Sequence, residues 1–178
     1  AYPEVLSVTA IDASGQHAFF ANKSKEIDFA APGVGILTAN KKEGNVLFSG
    51  TSAATPFVTG TLAALISGDN KLAPRQAVEL LKRMLNDQGA PGVDHAYGIG
   101  VLDWNRLRER LTVGLLDIAL ADIYLQLDST PGTTMPVEVI VQNRGTRWLD
   151  SAQLEVYIGE KQPRRFILEA LSPGQTTT

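Results

Sequence analysis

Ser52 is the residue of this chain whose surroundings could do chemistry. It stands in Phe48-Ser49-Gly50-Thr51-Ser52-Ala53-Ala54-Thr55-Pro56-Phe57-Val58-Thr59-Gly60, where a short strand pattern stops at a glycine and a small-residue helix pattern begins. The first N–H groups of a helix have no intrahelical partner, and the macrodipole is positive at that end. A serine at such an entrance can attack a carbonyl while its own N–H faces the oxyanion that develops, which is acyl transfer. Pro56 has no N–H to return to the Ser52 carbonyl, so the first turn is expected to be irregular. Gly50 and Ala53 leave room for a substrate backbone. The plain alternative is a Ser or Thr that merely caps the helix, a role these residues favour.

A hydroxyl at its ordinary pKa is a weak nucleophile and needs an adjacent base, itself oriented by a third group. The chain of 178 residues holds two His, His17 and His95, and no Cys. Thiolate catalysis, disulfides, Cys-ligated zinc and a three-His zinc site are therefore excluded. His95 with Asp87 or Asp103 follows Ser52 in the order of an α/β-hydrolase esterase, and Gly50-Thr51-Ser52-Ala53-Ala54 is one residue from the Gly-x-Ser-x-Gly elbow. The second elbow glycine is replaced and no βα repeats follow, which makes this the weaker enzyme reading. Sixteen Lys+Arg against 19 Asp+Glu give a net charge of −3, without the basic field that holds nucleic acid. No apolar run approaches the roughly 20 residues that cross a bilayer.

The stretch Gly50-Thr51-Ser52-Ala53-Ala54-x-Pro56-x-Val58-x-Gly60 closely resembles the nucleophile motif of subtilases, the subtilisin-like serine proteases. Three further segments are similar to the family and stand in its order. Tyr2-Pro3-x-Val5-Leu6-x-Val8-x-Ala10 looks like the strand after the oxyanion loop. Phe19-Phe20-Ala21-Asn22 with Ile27-Asp28-Phe29-Ala30-Ala31-Pro32-Gly33-Val34 looks like the pair ending in Ala-Pro-Gly. Ala96-Tyr97-Gly98-x-Gly100-x-Leu102-Asp103 resembles the closing stretch. The resemblance covers roughly residues 1–112. It implies that Ser52 is the nucleophile and a backbone oxyanion donor, that the Thr51 hydroxyl assists, that the substrate is a peptide or protein, and that the Tyr2–Pro3 bond is cis. Phe57 replaces a common His and Ala53 a common Met, and neither position is the base.

Family order puts Asp and His before Ser, yet no His-Gly-Thr, Asp-Thr-Gly or Asp-Ser-Gly precedes Ser52. The oxyanion Asn would fall before Ala1, and His17 lies in the wrong segment to be the base. The ends look cut, beginning Ala1-Tyr2-Pro3 and closing on three Thr after a strand pattern. The expectation is a C-terminal piece of a longer serine endopeptidase, inactive alone, with a noncatalytic relic as the alternative. Calcium is common in the family, but no Asp/Glu loop here has metal-ligand spacing, so structural calcium is left to the full-length protein with no ligand assigned.

The elements that must position Ser52 read as α/β. Strand candidates are 5–11, 26–31, 35–39 and 46–49, followed by a helix over 52–67 that is apolar on nearly all sides and expected to be buried and closely packed. Gly68 stands where a C′ residue belongs. Pro74 suits the first turn of an amphipathic helix carrying Ala77, Leu80, Leu81, Met84 and Leu85. A third helix is expected near 103–111, with Arg106, Arg108 and Arg110 on a solvated face.

From about Asp117 the period becomes two. Val137, Val139 and Val141 form one run, Ala152 to Ile158 a second and Arg165 to Leu171 a third, with turn chemistry at Asn143-Arg144-Gly145. Residues 119–171 and the ending Leu171-Ser172-Pro173-Gly174 resemble bacterial CARDB-type Ig-like domains. The expected architecture is the C-terminal portion of a subtilisin-like fold over 1–112, then an all-β, Ig-like partial sandwich over 113–178. The second part carries the non-enzyme alternative, a cell-surface binding or adhesion module, and implies an extracellular or cell-envelope setting.

Overall fold

The computed structural model describes residues 2, 4–68, 71–125, 136–159 and 161–178. The Tyr2–Pro3 bond lies outside them. A short parallel sheet carries the N-terminal half. β1 (Val8–Ile11) and β2 (Phe29–Pro32) pair in parallel, with Val8 opposite Phe29 and Ile11 opposite Pro32. Residues 99–102 extend β2's other edge: Ala30 N–H donates to Gly100 O at 3.0 Å and Leu102 N–H to Ala30 O at 2.9 Å. Ala10, Phe29, Ala30 and Ala31 are fully buried, as expected for parallel strands read from continuous apolar runs. β3 (Ile36–Ala39) and β4 (Asn45–Phe48) form an antiparallel hairpin.

α1 (Thr51–Ser67) packs on β1 and β2 through Ala53, Ala54, Val58 and Leu65. α2 (Pro74–Arg83) adds Ala77 and Leu81 to the same core, and α3 (Trp104–Glu109) adds Leu107. α2 starts at Pro74, where a missing N–H costs nothing, and Gln76 Oε1 accepts the Ala73 N–H at 3.0 Å. At α3, Asp103 Oδ1 accepts from Asn105 N–H and Arg106 N–H, a side-chain N-cap.

β5 (Ile118–Leu125) and β6 (Val137–Asn143) pair antiparallel, with a register shift between Leu120 and Asp122. β7 (Ala152–Val156) and β8 (Arg164–Leu168) form a separate antiparallel hairpin, and β9 (Thr176–Thr177) adds to β6.

Three expectations need correction. α1 is not buried all round: Thr55, Pro56, Thr59, Gly60, Ala63 and Ala64 are exposed, because the small sheet covers one face only. Arg106 is not on a solvated face. It is 5% exposed, and its guanidinium donates to Arg83 O at 3.1 Å and to Leu85 O. Charge alternation along six helical residues cannot reveal that carbonyls at the end of α2 wait on the inner side. Gly68 is the C-cap of α1 rather than its C′ residue, with extended backbone (φ −68°, ψ 176°) and its N–H bonded to Ala64 O. The C-terminal strands follow the expected period, but among the described residues they make two small sheets and not a closed sandwich. Arg164 to Ile167 on β8 and Gln153 and Glu155 on β7 remain exposed.

Candidate active site

Ser52 is the second residue of α1, and its position is fixed by a chain of backbone contacts that begins in the sheet. Gly33, after β2, donates its N–H to Ile11 O at 2.9 Å and accepts from Gly50 N–H at 2.8 Å. A Cβ on Gly33 would stand 2.5 Å from Ala10 Cβ and 2.9 Å from Gly50 O, so only glycine lets the end of β2 meet the residue before the helix. Gly50 is the N-cap and supplies no side-chain bond. Its carbonyl accepts from Ala53 N–H at 2.9 Å. Neither Thr51 nor Ser52 caps α1, so the plain capping role does not explain them.

The neighbouring hydroxyls are engaged elsewhere. Thr55 Oγ1 donates to Thr51 O at 3.0 Å, and Ser49 Oγ accepts from Gly35 N–H at 2.9 Å, closing the base of the β3–β4 hairpin. Ser52 is exposed and Thr51 half-buried. The first turn of α1 carries no acidic side chain, so the positive end of the dipole is left for an incoming negative charge.

A groove of about 440 Å³ opens beside Ser52. Leu37 and Phe48 of the hairpin, Pro56, Phe57 and Gly60 of α1 and Trp104 of α3 line it. An exposed hydroxyl, a bare helix N-terminus and an apolar trough are features that acyl transfer on an extended peptide uses, together with a base. Trp104 and Leu37 were missed from the sequence. The available signal was an aromatic directly after a capping Asp, which cannot be aimed at Ser52 without the fold.

The histidines are elsewhere. His17 lies between Thr9 Oγ1, 3.2 Å from its Nε2, and the Tyr97 ring, edge-on at a centroid distance of 6.1 Å. Burial and the Lys23 charge hold it below the usual imidazole range. His95 is exposed. Asp87 Oδ2 accepts the Gly92 N–H and Asp103 caps α3 and takes Asn86 Nδ2. Neither carboxylate engages His95, so the esterase arrangement is not assembled. Among the described residues no group of three or more His, Asp or Glu could hold a metal ion, and calcium enters no step below.

Comparison with known proteins places these features. Residues 1–100 match the profile of the subtilase family, Peptidase_S8. The chain is 31% identical over 104 residues to the minor extracellular protease Epr of Bacillus subtilis (strain 168), covering 58% of this chain and 16% of that protein. It is 40% identical over 81 residues to the major intracellular serine protease of the same organism, covering 44% and 25%. The structure of the prenylagaramide maturation protease PagA superposes with a TM-score of 0.52 at 30% identity, covering 57% of this chain and 40% of that one. The chain thus spans well under half the length of each.

Proposed function

The chain belongs to the subtilase family, and from that premise we propose that Ser52 is the nucleophile of a serine endopeptidase acting on peptide or protein substrates. The observation that carries this is the exposed Ser52 at an uncapped, acid-free helix entrance, beside an apolar groove. In the proposed reaction Ser52 Oγ attacks the scissile carbonyl and its proton passes to a base. The carbonyl oxygen becomes an oxyanion that meets the Ser52 N–H, with the Thr51 hydroxyl beside it, and the leaving amine takes the proton as the acyl-enzyme forms. Water then releases the acid and restores the hydroxyl.

The base and its orienting carboxylate are not supplied by His17 or His95, which are held away from the groove. Hydrolysis therefore requires a His and an Asp from outside these 178 residues, and the chain alone is inactive. An extracellular or cell-envelope setting follows the likeness to Epr, whose name says extracellular, although a relative named as intracellular also matches. No described helix is long and apolar enough to cross a membrane. The CARDB-type reading of 113–178, with its cell-surface ligand, rests on sequence likeness alone.

Casein hydrolysis by the full-length protein tests the proposal. Ser52→Ala is expected to remove it by several orders of magnitude, as loss of an activated nucleophile does, while retained hydrolysis would contradict the assignment.

A further inference from the structure

A polar junction joins the β-rich C-terminal segment to the loop after α2, and one carbonyl in it is shared from two sides. Gln142 of β6 is 3% exposed. Its Nε2 donates to Leu85 O at 3.1 Å and Gly174 O at 3.2 Å, and its Oε1 accepts Asp87 N–H and Arg144 Nε–H, both at 3.2 Å. Both donors and both acceptor positions of this amide are filled. Asp122 of β5 accepts the Gly89 N–H at 2.8 Å. Gly174 approaches so closely that a Cβ there would stand 2.8 Å from Arg83 O.

From the other side, Arg106 Nη1 donates to the same Leu85 O and Nη2 to Arg83 O. Asn86 Nδ2 donates to Asp103, the N-cap of α3, at 2.7 Å. The helix so anchored begins with Trp104, which lines the groove beside Ser52.

We propose that the β5–β6–β9 sheet acts as an intramolecular brace, which through Gln142, the Leu85 carbonyl and Arg106 fixes α3 and so the Trp104 side of the Ser52 groove. Gln142 is a positioning residue. A module hung on a linker meets its neighbour across a mostly exposed polar interface, whereas a buried, fully bonded glutamine ties two segments into one mechanical unit. That the groove receives substrate rests on Ser52 being the nucleophile; the brace itself does not.

The test uses the 178-residue chain carrying Trp148→Phe, which leaves Trp104 as the only tryptophan. Gln142→Ala is expected to raise amide hydrogen exchange at Asp87, whose N–H Gln142 accepts, by about tenfold or more, the scale of a buried amide losing its partner. Acrylamide quenching of Trp104 should rise with it. Faster exchange with unchanged Trp104 quenching would overturn the link to the groove, and unchanged exchange would overturn the brace. Should Gln142→Ala fail to fold, Gly174→Ala presses on Arg83 O from the same side and faces the same two readouts. Neither readout involves catalysis, so failure here and failure of the nucleophile assignment are distinguished.

Discussion

Ser52 is available because its neighbours are not: Ser49 and Thr55 spend their hydroxyls on the hairpin and on the helix backbone. The helix entrance was legible in the sequence, since Gly-Thr-Ser followed by small residues marks it. Arg106 was not legible, because its three carbonyl and amide acceptors come from residues 83–86, brought near only by the fold. Burial and Arg144 pull it down to about 10, so it stays cationic at neutral pH. Asp87 behaves in the opposite direction. Burial raises its carboxyl above the usual range, with Asp94 adding to the effect, and its Oδ1 is buried without a partner. A carboxyl whose folded pKa is raised stabilises the fold below its unfolded pKa and loses that contribution as pH rises through the folded one. Asp87→Asn, which keeps an acceptor for Gly92 N–H, is therefore expected to raise Tm relative to the parent chain more at pH 7 than at pH 4. An equal difference at both pH values in a thermal melt would refute the sign.

Between the elements, close approach is set by small residues. Ala10, Ala31 and Ala54 are fully buried where α1 lies on the sheet, and Gly33 makes a contact that leaves no room for a side chain. β1–β4, β6–β8, the three helices and the Pro74 start were readable from period and punctuation, whereas β5 had only a change of period and β9 falls on the closing Thr residues. Their ends moved by one to three residues, since hydrogen-bond pairing and not hydrophobicity sets where a strand stops: Val8, not Val5, is the first residue of β1 to pair with β2. The open face of α1 could not be read, because an apolar helix pattern does not say how many neighbours it has. Gly33→Ala is expected to cost about 1–3 kcal/mol by overpacking against Ala10 and Gly50, a drop of roughly 2–4 °C in Tm per kcal/mol for a chain of this size. A calorimetric Tm within about 1 °C of the parent, below the smallest expected drop of roughly 2 °C, would show that the β2 end yields freely.

At the scale of the whole chain, the family segment and the β-rich segment meet through groups that a boundary drawn near residue 112 does not suggest, the buried Gln142 on Leu85 and the half-buried Asp122 on Gly89. The period-two pattern announced strands but not their partners, and β7–β8 stands apart from β5–β6–β9. Neither histidine lines the groove, His17 contacting Thr9 and Tyr97 and His95 being exposed, so the proposed activation of Ser52 calls for other residues. Mass-spectrometric mapping of a fluorophosphonate adduct addresses this most directly, on the full-length protein and on the 178-residue chain in parallel. The account predicts covalent phosphonylation of Ser52 in the full-length protein and an unlabelled Ser52 in the short chain. Modification of a different serine in the full-length protein, or none while it still cleaves casein, would contradict it.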